Sequence, residues 1–161
     1  MPNKNADPKK QFEAVEDLLT RWLKERRALL GAYTEIVVTL DHSLNDAVMK
    51  KRQEALCELL VDYVSVGHFE VFHELINEAE SFGDGSCALA ERLMPDIGAI
   101  TEVILAYEEK YGSAREHPDK LKRDLSALGE VLESRFVLED QLIAGLHNRH
   151  RRLVAEAPVS V

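Results

Sequence analysis

"VDYVSVGHFEVF", residues 61–72, decides how this chain is read. Apolar residues before and after it recur at steps of three and four, the signature of an amphipathic α-helix. The stretch itself is apolar on nearly every side, with only Asp62 and Glu70 as charges. Leu60, Val64, His68, Val71, Phe72 and Leu75 form one stripe at helical spacing. Leu59, Asp62, Val66, Phe69 and His73 share a different side, and Tyr63 lies between the two. A helix in a four-helix bundle has neighbours on only about half of its circumference. The second side is therefore hidden by a kink at Gly67 or an N-terminal arm, or it is an exposed apolar patch of Leu59, Tyr63, Val66 and Phe69 enclosing Asp62. The spacing alone leaves both readings open.

Outward from this stretch, four long amphipathic patterns account for most of the 161 residues. The first runs from about Pro8 to Leu40 through Phe12, Val15, Leu19, Trp22, Leu29 and Ile36. "DHSLND" follows, where Ser43 and Asp46 suit an N-terminal capping box. The second runs from about Leu44 to Phe82, and Gly67 predicts a kink or break inside it. "FGDGS" ends it, with Gly83 suited to a left-handed cap. The third spans about Ser86 to Tyr111, and Pro95 predicts a division into a short and a longer helix. The fourth opens at "HPDK" and continues to the basic end "HNRHRRL", where cations suit a helix C-terminus without any nucleic acid. No stretch reads as a strand. The expected fold is all-α, an antiparallel up-down four-helix bundle over residues 11–152, with flexible segments at 1–10 and 153–161.

Composition agrees with one domain: 45% hydrophobic and 30% charged residues, with a net charge of −9. The charge is unevenly placed. Gln53 to Glu109 holds thirteen acidic residues and one basic residue, Arg92, so that this part is −12 and the remainder +3. Such a field repels nucleic acid and attracts basic partners, although acidic surfaces also serve solubility alone. Cys57 and Cys87 lack metal-ligand spacing and read as reduced thiols. "MPNKNADPKK" has no apolar core of a signal peptide, and no run reaches the length of a membrane span. These features predict a cytoplasmic protein with no membrane contact and no direct DNA binding.

Charged residues on apolar stripes are the next signal. Arg26 falls between Trp22 and Leu29, and Arg135 and Glu139 continue the line of Leu128 and Leu132. With His68 they are expected to meet in one internal polar network, because buried charges need partners. The network either fixes helix register or lines a small-ligand pocket. "HFEVFHE" and "RFVLED" faintly resemble hemerythrin-like metal spacing. His68 and His73 are five apart and do not share a face, and Arg135 is no ligand, so no metal is expected. His147 and His150 alone are weak evidence for one. No phosphate loop or nucleophile elbow is present, so neither an enzyme nor a cofactor is expected. A metal- or small-ligand-binding helical sensor is the alternative function.

Four stretches together carry a family resemblance: "TRWLKER" (20–26), "LLVDYVSVGHFEVF" (59–72), "ERLMPDIGAITE" (91–102) and "ESRFVLEDQLI" (133–143). They closely resemble the Rsd/AlgQ family of bacterial anti-sigma regulators, nearest to its AlgQ branch, over roughly residues 12 to 150. The resemblance implies a helical bundle that binds the C-terminal, promoter-recognising domain (region four) of the primary sigma factor. It implies that Asp62, in the Leu-Val-Asp-Tyr motif, belongs to the contact surface, joined by Tyr63, Ser65, His68 and Phe69. Leu59 and Val66 complete the expected patch, and Val66 stands where relatives carry a small Ala. Control of alginate genes is implied by the family name. Neither reading fixes the oligomeric state, monomer or weak dimer.

Overall fold

The computed structural model describes residues 7–40, 46–112 and 118–155. Four helical rods make the molecule. The first is α1 (Pro8–Leu40). The second is α2 (Asp46–Val66), a π-helical turn (Gly67–Val71) and α3 (Phe72–Phe82) in succession. The third is α4 (Cys87–Tyr111) and the fourth α5 (Pro118–Leu146). A 3₁₀ turn (Asn148–His150) and the short α6 (Arg151–Ala155) follow. There is no strand among the described residues.

Side-chain pairs fix the rod directions. Along α1, Gln11 meets Glu74, Trp22 meets Tyr63 and Arg52 reaches back to Glu35, so numbers rise on one rod as they fall on the other. The same inverse order relates α4 to α5 through Thr101–Arg135 and Lys110–Asp124. It also relates α1 to α5 through Arg26–Glu139 and Glu16–His147. The second and fourth rods instead run in step, with Tyr63 beside Glu139 and Glu78 beside His147. This is the expected antiparallel up-down bundle, with the second and fourth rods on one diagonal.

The core is one continuous cluster that includes Trp22, Leu29, Ile36, Leu60, Ile104 and Leu128. Burying each such side chain contributes roughly 1.5–3 kcal/mol before chain entropy is counted. Gly83 has φ 61° and caps α3 with its N–H on the Ala79 carbonyl, as the left-handed position requires. The capping box at Ser43 lies outside the described residues.

Two helix interiors differ from expectation in instructive ways. Pro95 does not divide the third rod, because α4 runs through it. Its missing N–H lies on the exposed side of the helix, where water can satisfy the carbonyl one turn back. The irregularity at Gly67 is a π-helical turn, flanked by Val66 (φ −62°, ψ −41°) and Phe72 (φ −66°, ψ −38°), both ordinary helix. A π turn takes one more residue to come round. Three consecutive residues, His68, Phe69 and Glu70, therefore face outward between buried Gly67 and Val71. Gly67 is needed there: a Cβ would sit 2.9 Å from Cζ2 of Trp22.

Candidate partner-binding face and the polar network behind it

Arg26, Arg135 and Glu139 do meet inside the bundle, and the fourth member is Tyr63, not His68. The Glu139 carboxylate is buried. Its Oε1 accepts from Arg26 Nη2 (3.0 Å) and the Tyr63 hydroxyl, and its Oε2 accepts from Arg135 Nε at 2.6 Å. Arg26 also donates to Asp140 (2.8 Å) and to the Tyr63 hydroxyl oxygen (3.1 Å). Arg135 donates onward to Thr101 and lies over the ring of Phe72. Burial pushes the Glu139 carboxyl up, against the pull of Arg135, Tyr63 and Arg26. Both its oxygens are acceptors to N–H or O–H donors, which is the arrangement of an ionised carboxylate. Burial opposes the Arg26 charge, yet Tyr63, Asp140 and Glu139 outweigh it and raise its pKa. Burial and the neighbouring Glu139 likewise push the Tyr63 phenol up.

Two site expectations are thereby corrected. Tyr63 is fully buried, stacked on Trp22, and offers no surface to a partner. His68 is exposed, edge-on to Phe69 with centroids 4.9 Å apart, and touches none of Arg26, Arg135 or Glu139. The causes differ. Tyr63 lies before the π turn and is buried by ordinary helical phase with Leu60 and Gly67, whereas the π turn alters the angular step from Gly67 to Val71, so that His68 does not share the buried face of Val71.

The rest of the expected patch lies toward the surface. Asp62 is exposed, and Leu59, Ser65 and Val66 are half-buried at its side. Phe69 stands out at 73% exposure, the highest of the exposed large apolar side chains among the described residues. Glu70 follows it in the chain. Burial, with Asp62 and Glu70 close by, holds the Glu25 carboxyl above its ordinary value, against the pull of Arg21. On the other side of Asp62, a cleft of about 510 Å³ is lined by Glu54, Glu58, Asp62 and Glu108, with Cys57 and Val61 as its apolar part. Burial, with Glu108 nearby, pushes the Cys57 thiol up to about 12, so this cysteine is inert at neutral pH. An exposed aromatic ring on the same rod as an acidic cleft suits a partner with basic side chains and an apolar seat.

A second cluster escaped the sequence reading. "HNRH" is more than a basic helix end: His147 and His150 are buried and share the buried carboxylate of Glu78. Arg151 pairs with Glu16, and Arg149 with Asp84. The one available signal was phase. His147 and His150 continue the buried positions Ile143 and Leu146 at steps of three and four. Among the described residues, no group of three or more His, Cys, Asp or Glu is arranged to hold a metal ion. None of the described helices is long and apolar enough to cross a membrane.

Comparison with known proteins is consistent with this arrangement. The family described as "Regulator of RNA polymerase sigma(70) subunit, Rsd/AlgQ" matches residues 1–147. A protein of Shigella boydii serotype 4 (strain Sb227) named "Regulator of sigma D" is 37% identical over 132 residues, covering 78% of this chain and 81% of that protein. The protein of the same name from Escherichia coli (strain K12 / DH10B) has the same identity and coverage. No solved structure matches the chain. With a family match over nearly its whole described length, this helical bundle belongs to the Rsd/AlgQ family of regulators of the RNA polymerase sigma(70) subunit.

Proposed function

We propose that this chain binds the C-terminal, promoter-recognising domain of the primary sigma factor through the face centred on Asp62 and Phe69, and so withholds it from promoter DNA and from core polymerase. The observation that carries this reading is Phe69, 73% exposed on the same helical rod as the exposed Asp62 and followed in the chain by Glu70, both of which lie near Glu25. A DNA-binding helix-turn-helix is basic because phosphates demand it. A surface that offers carboxylates and one aromatic anchor competes for the same residues. The names of the relatives, which are regulators of sigma, support the partner class. Burying a promoter-reading face needs neither catalysis nor DNA contact by this chain, and it places the protein in the cytoplasm beside polymerase.

Within this mechanism the residues divide the work. Asp62 accepts a charge-assisted hydrogen bond from a sigma arginine or lysine. Phe69 fills an apolar seat, while Leu59, Ser65 and Val66 complete the rim. Tyr63 acts from behind: its contacts to Trp22, Arg26 and Glu139 hold the helix that presents Asp62. Titration calorimetry with the isolated sigma domain tests the proposal. One-to-one binding is expected, and Asp62→Ala is expected to weaken it by on the order of 2 kcal/mol. Both Asp62 and Phe69 are exposed, so their variants keep the fold. Absence of binding at tens of micromolar, with the variants folded, would sink the reading.

A further inference from the structure

The end of the bundle away from the Lys110–Asp124 pair carries an unbroken line of ionisable groups: Glu16, His147, Glu78, His150 and Asp84. Each histidine has a carboxylate oxygen at both ring nitrogens. His147 Nδ1 lies 2.6 Å from Glu78 Oε1, and its Nε2 lies 2.5 Å from Glu16 Oε2. His150 Nδ1 lies 2.7 Å from Glu78 Oε2, and its Nε2 lies 2.9 Å from Asp84 Oδ2. A neutral imidazole has one N–H and one lone pair. In either tautomer that lone pair would face a carboxylate. Glu16 Oε2 also accepts from Arg151 at 2.9 Å and Asp84 Oδ2 lies 3.3 Å from Arg149, but only the doubly protonated ring turns an N–H, and no lone pair, toward each of its two carboxylates.

Every element packed here contributes a charge. Glu16 comes from α1, Glu78 from α3 and Asp84 from the turn before α4, which also brings the Cys87 thiol near Asp84. The 3₁₀ turn supplies Arg149 to Asp84, and α6 supplies Arg151 to Glu16. Glu78 is fully buried, and the two imidazoles are the cations that reach it among the described residues. The rings are also sandwiched against aromatic faces, His147 on Phe12 at 4.2 Å and His150 on Phe82 at 4.0 Å.

We infer that residues 147–155 form a proton-locked latch: with both imidazoles charged, the segment is clamped across α1, α3 and the turn at Asp84, and loss of a ring proton opens it. Removing either proton sets a lone pair against a carboxylate, and removing both leaves Glu78 with neither of the cations that reach it in the interior. Release therefore comes as pH rises, and it uncovers the faces of Phe12 and Phe82. The direction agrees with His147, whose pKa is raised although burial opposes it, because Glu78 and Glu16 favour the charged ring. The latch stands independently of the sigma-binding proposal, since it involves neither Asp62 nor Phe69.

The test is long-range proton–nitrogen NMR of the imidazoles in the full chain, from about pH 5 to about pH 10, beside amide exchange at Arg151–Ala155. Both rings are expected to carry two protonated nitrogens at neutral pH. Their deprotonation is expected to coincide with a loss of protection at Arg151–Ala155 of about tenfold or more, after correction for intrinsic exchange. Glu16→Gln, at a half-exposed site, is expected to lower the midpoint of His147. A single neutral tautomer at neutral pH would overturn the latch. So would protection that stays constant while the rings titrate.

Discussion

The indole of Trp22 lies flat on the ring of Tyr63, with centroids 4.6 Å apart and planes 4° from parallel, and its Nε1–H donates to the Tyr63 carbonyl at 3.1 Å. That carbonyl sits four residues before Gly67, where the helix passes from α to π spacing. The edge of the same indole occupies the space a Cβ of residue 67 would need. Trp22 thus holds the π turn from two sides, and the π turn is what presents Phe69.

Gly67→Ala tests this directly. Helix propensity alone favours Ala by about 1 kcal/mol. The new Cβ would meet Trp22 Cζ2 at 2.9 Å and approach Arg135 Nη2 at 3.6 Å. Overpacking of this kind costs typically about 1–3 kcal/mol. Net destabilisation in urea unfolding is expected, with a changed emission from Trp22, the single tryptophan of the chain. A more stable variant would show that the indole yields freely and does not hold the turn.

Tyr63→Phe separates the network from the surface. It keeps the stack on Trp22 and removes the hydroxyl that serves Glu139 and Arg26. Leaving buried partners short of a hydrogen bond costs roughly 1–3 kcal/mol. Thermal unfolding should register that loss, while affinity for the sigma domain changes by less than about threefold, below 0.7 kcal/mol or so. A variant of native stability with poor affinity would return Tyr63 to the interface.

The four rods were readable from the chain because each repeats its apolar period over many turns, long enough to outweigh Pro95 and Gly67. Arg26, Arg135 and Glu139 were readable as charges in apolar phase. Tyr63 was not, since it lies in phase between two apolar sides of α2 and only packing against Trp22 decides which side is core, and His68 was not, since it sits inside a π turn whose only mark was Gly67. The histidine cluster was hidden for a different reason. Its carboxylate partners come from α1, α3 and the turn at Asp84, far away in sequence. Such a pairing is set by tertiary packing and not by local spacing.

Acid should loosen the same end of the molecule through Asp84. Its carboxyl is held down to about 2, from 3.8, by the Ser86 N–H and by His150, against the effect of burial. A folded value below the unfolded one contributes stability that is fully present above pH 3.8 and lost as pH falls toward 2. Glu16 and Asp124 are shifted in the same direction. The stability difference between the wild type and Asp84→Asn, followed by urea unfolding, should stay level from pH 3.8 to neutral pH and close as pH approaches 2. A difference that persists unchanged at the acid end would remove Asp84 from the acid response.

Salt should distinguish the two kinds of contact proposed for the partner face. Asp62 lies among Glu54, Glu58 and Glu108, so its contribution to binding is electrostatic. At about 0.1 M salt the screening length is about 10 Å, and at about 1 M it is about 3 Å. Phe69, by contrast, contributes buried apolar area, which such salt does not weaken. In a salt series of affinities for the sigma domain, Asp62→Ala should show a shallower slope than the wild type and converge with it at high salt. Phe69→Ala should keep the wild-type slope at an affinity lowered throughout, by on the order of 2 kcal/mol. Parallel slopes for wild type and Asp62→Ala would mean that the acidic cleft does not steer the partner. Native affinity in Phe69→Ala would mean that the ring raised by the π turn is not its anchor.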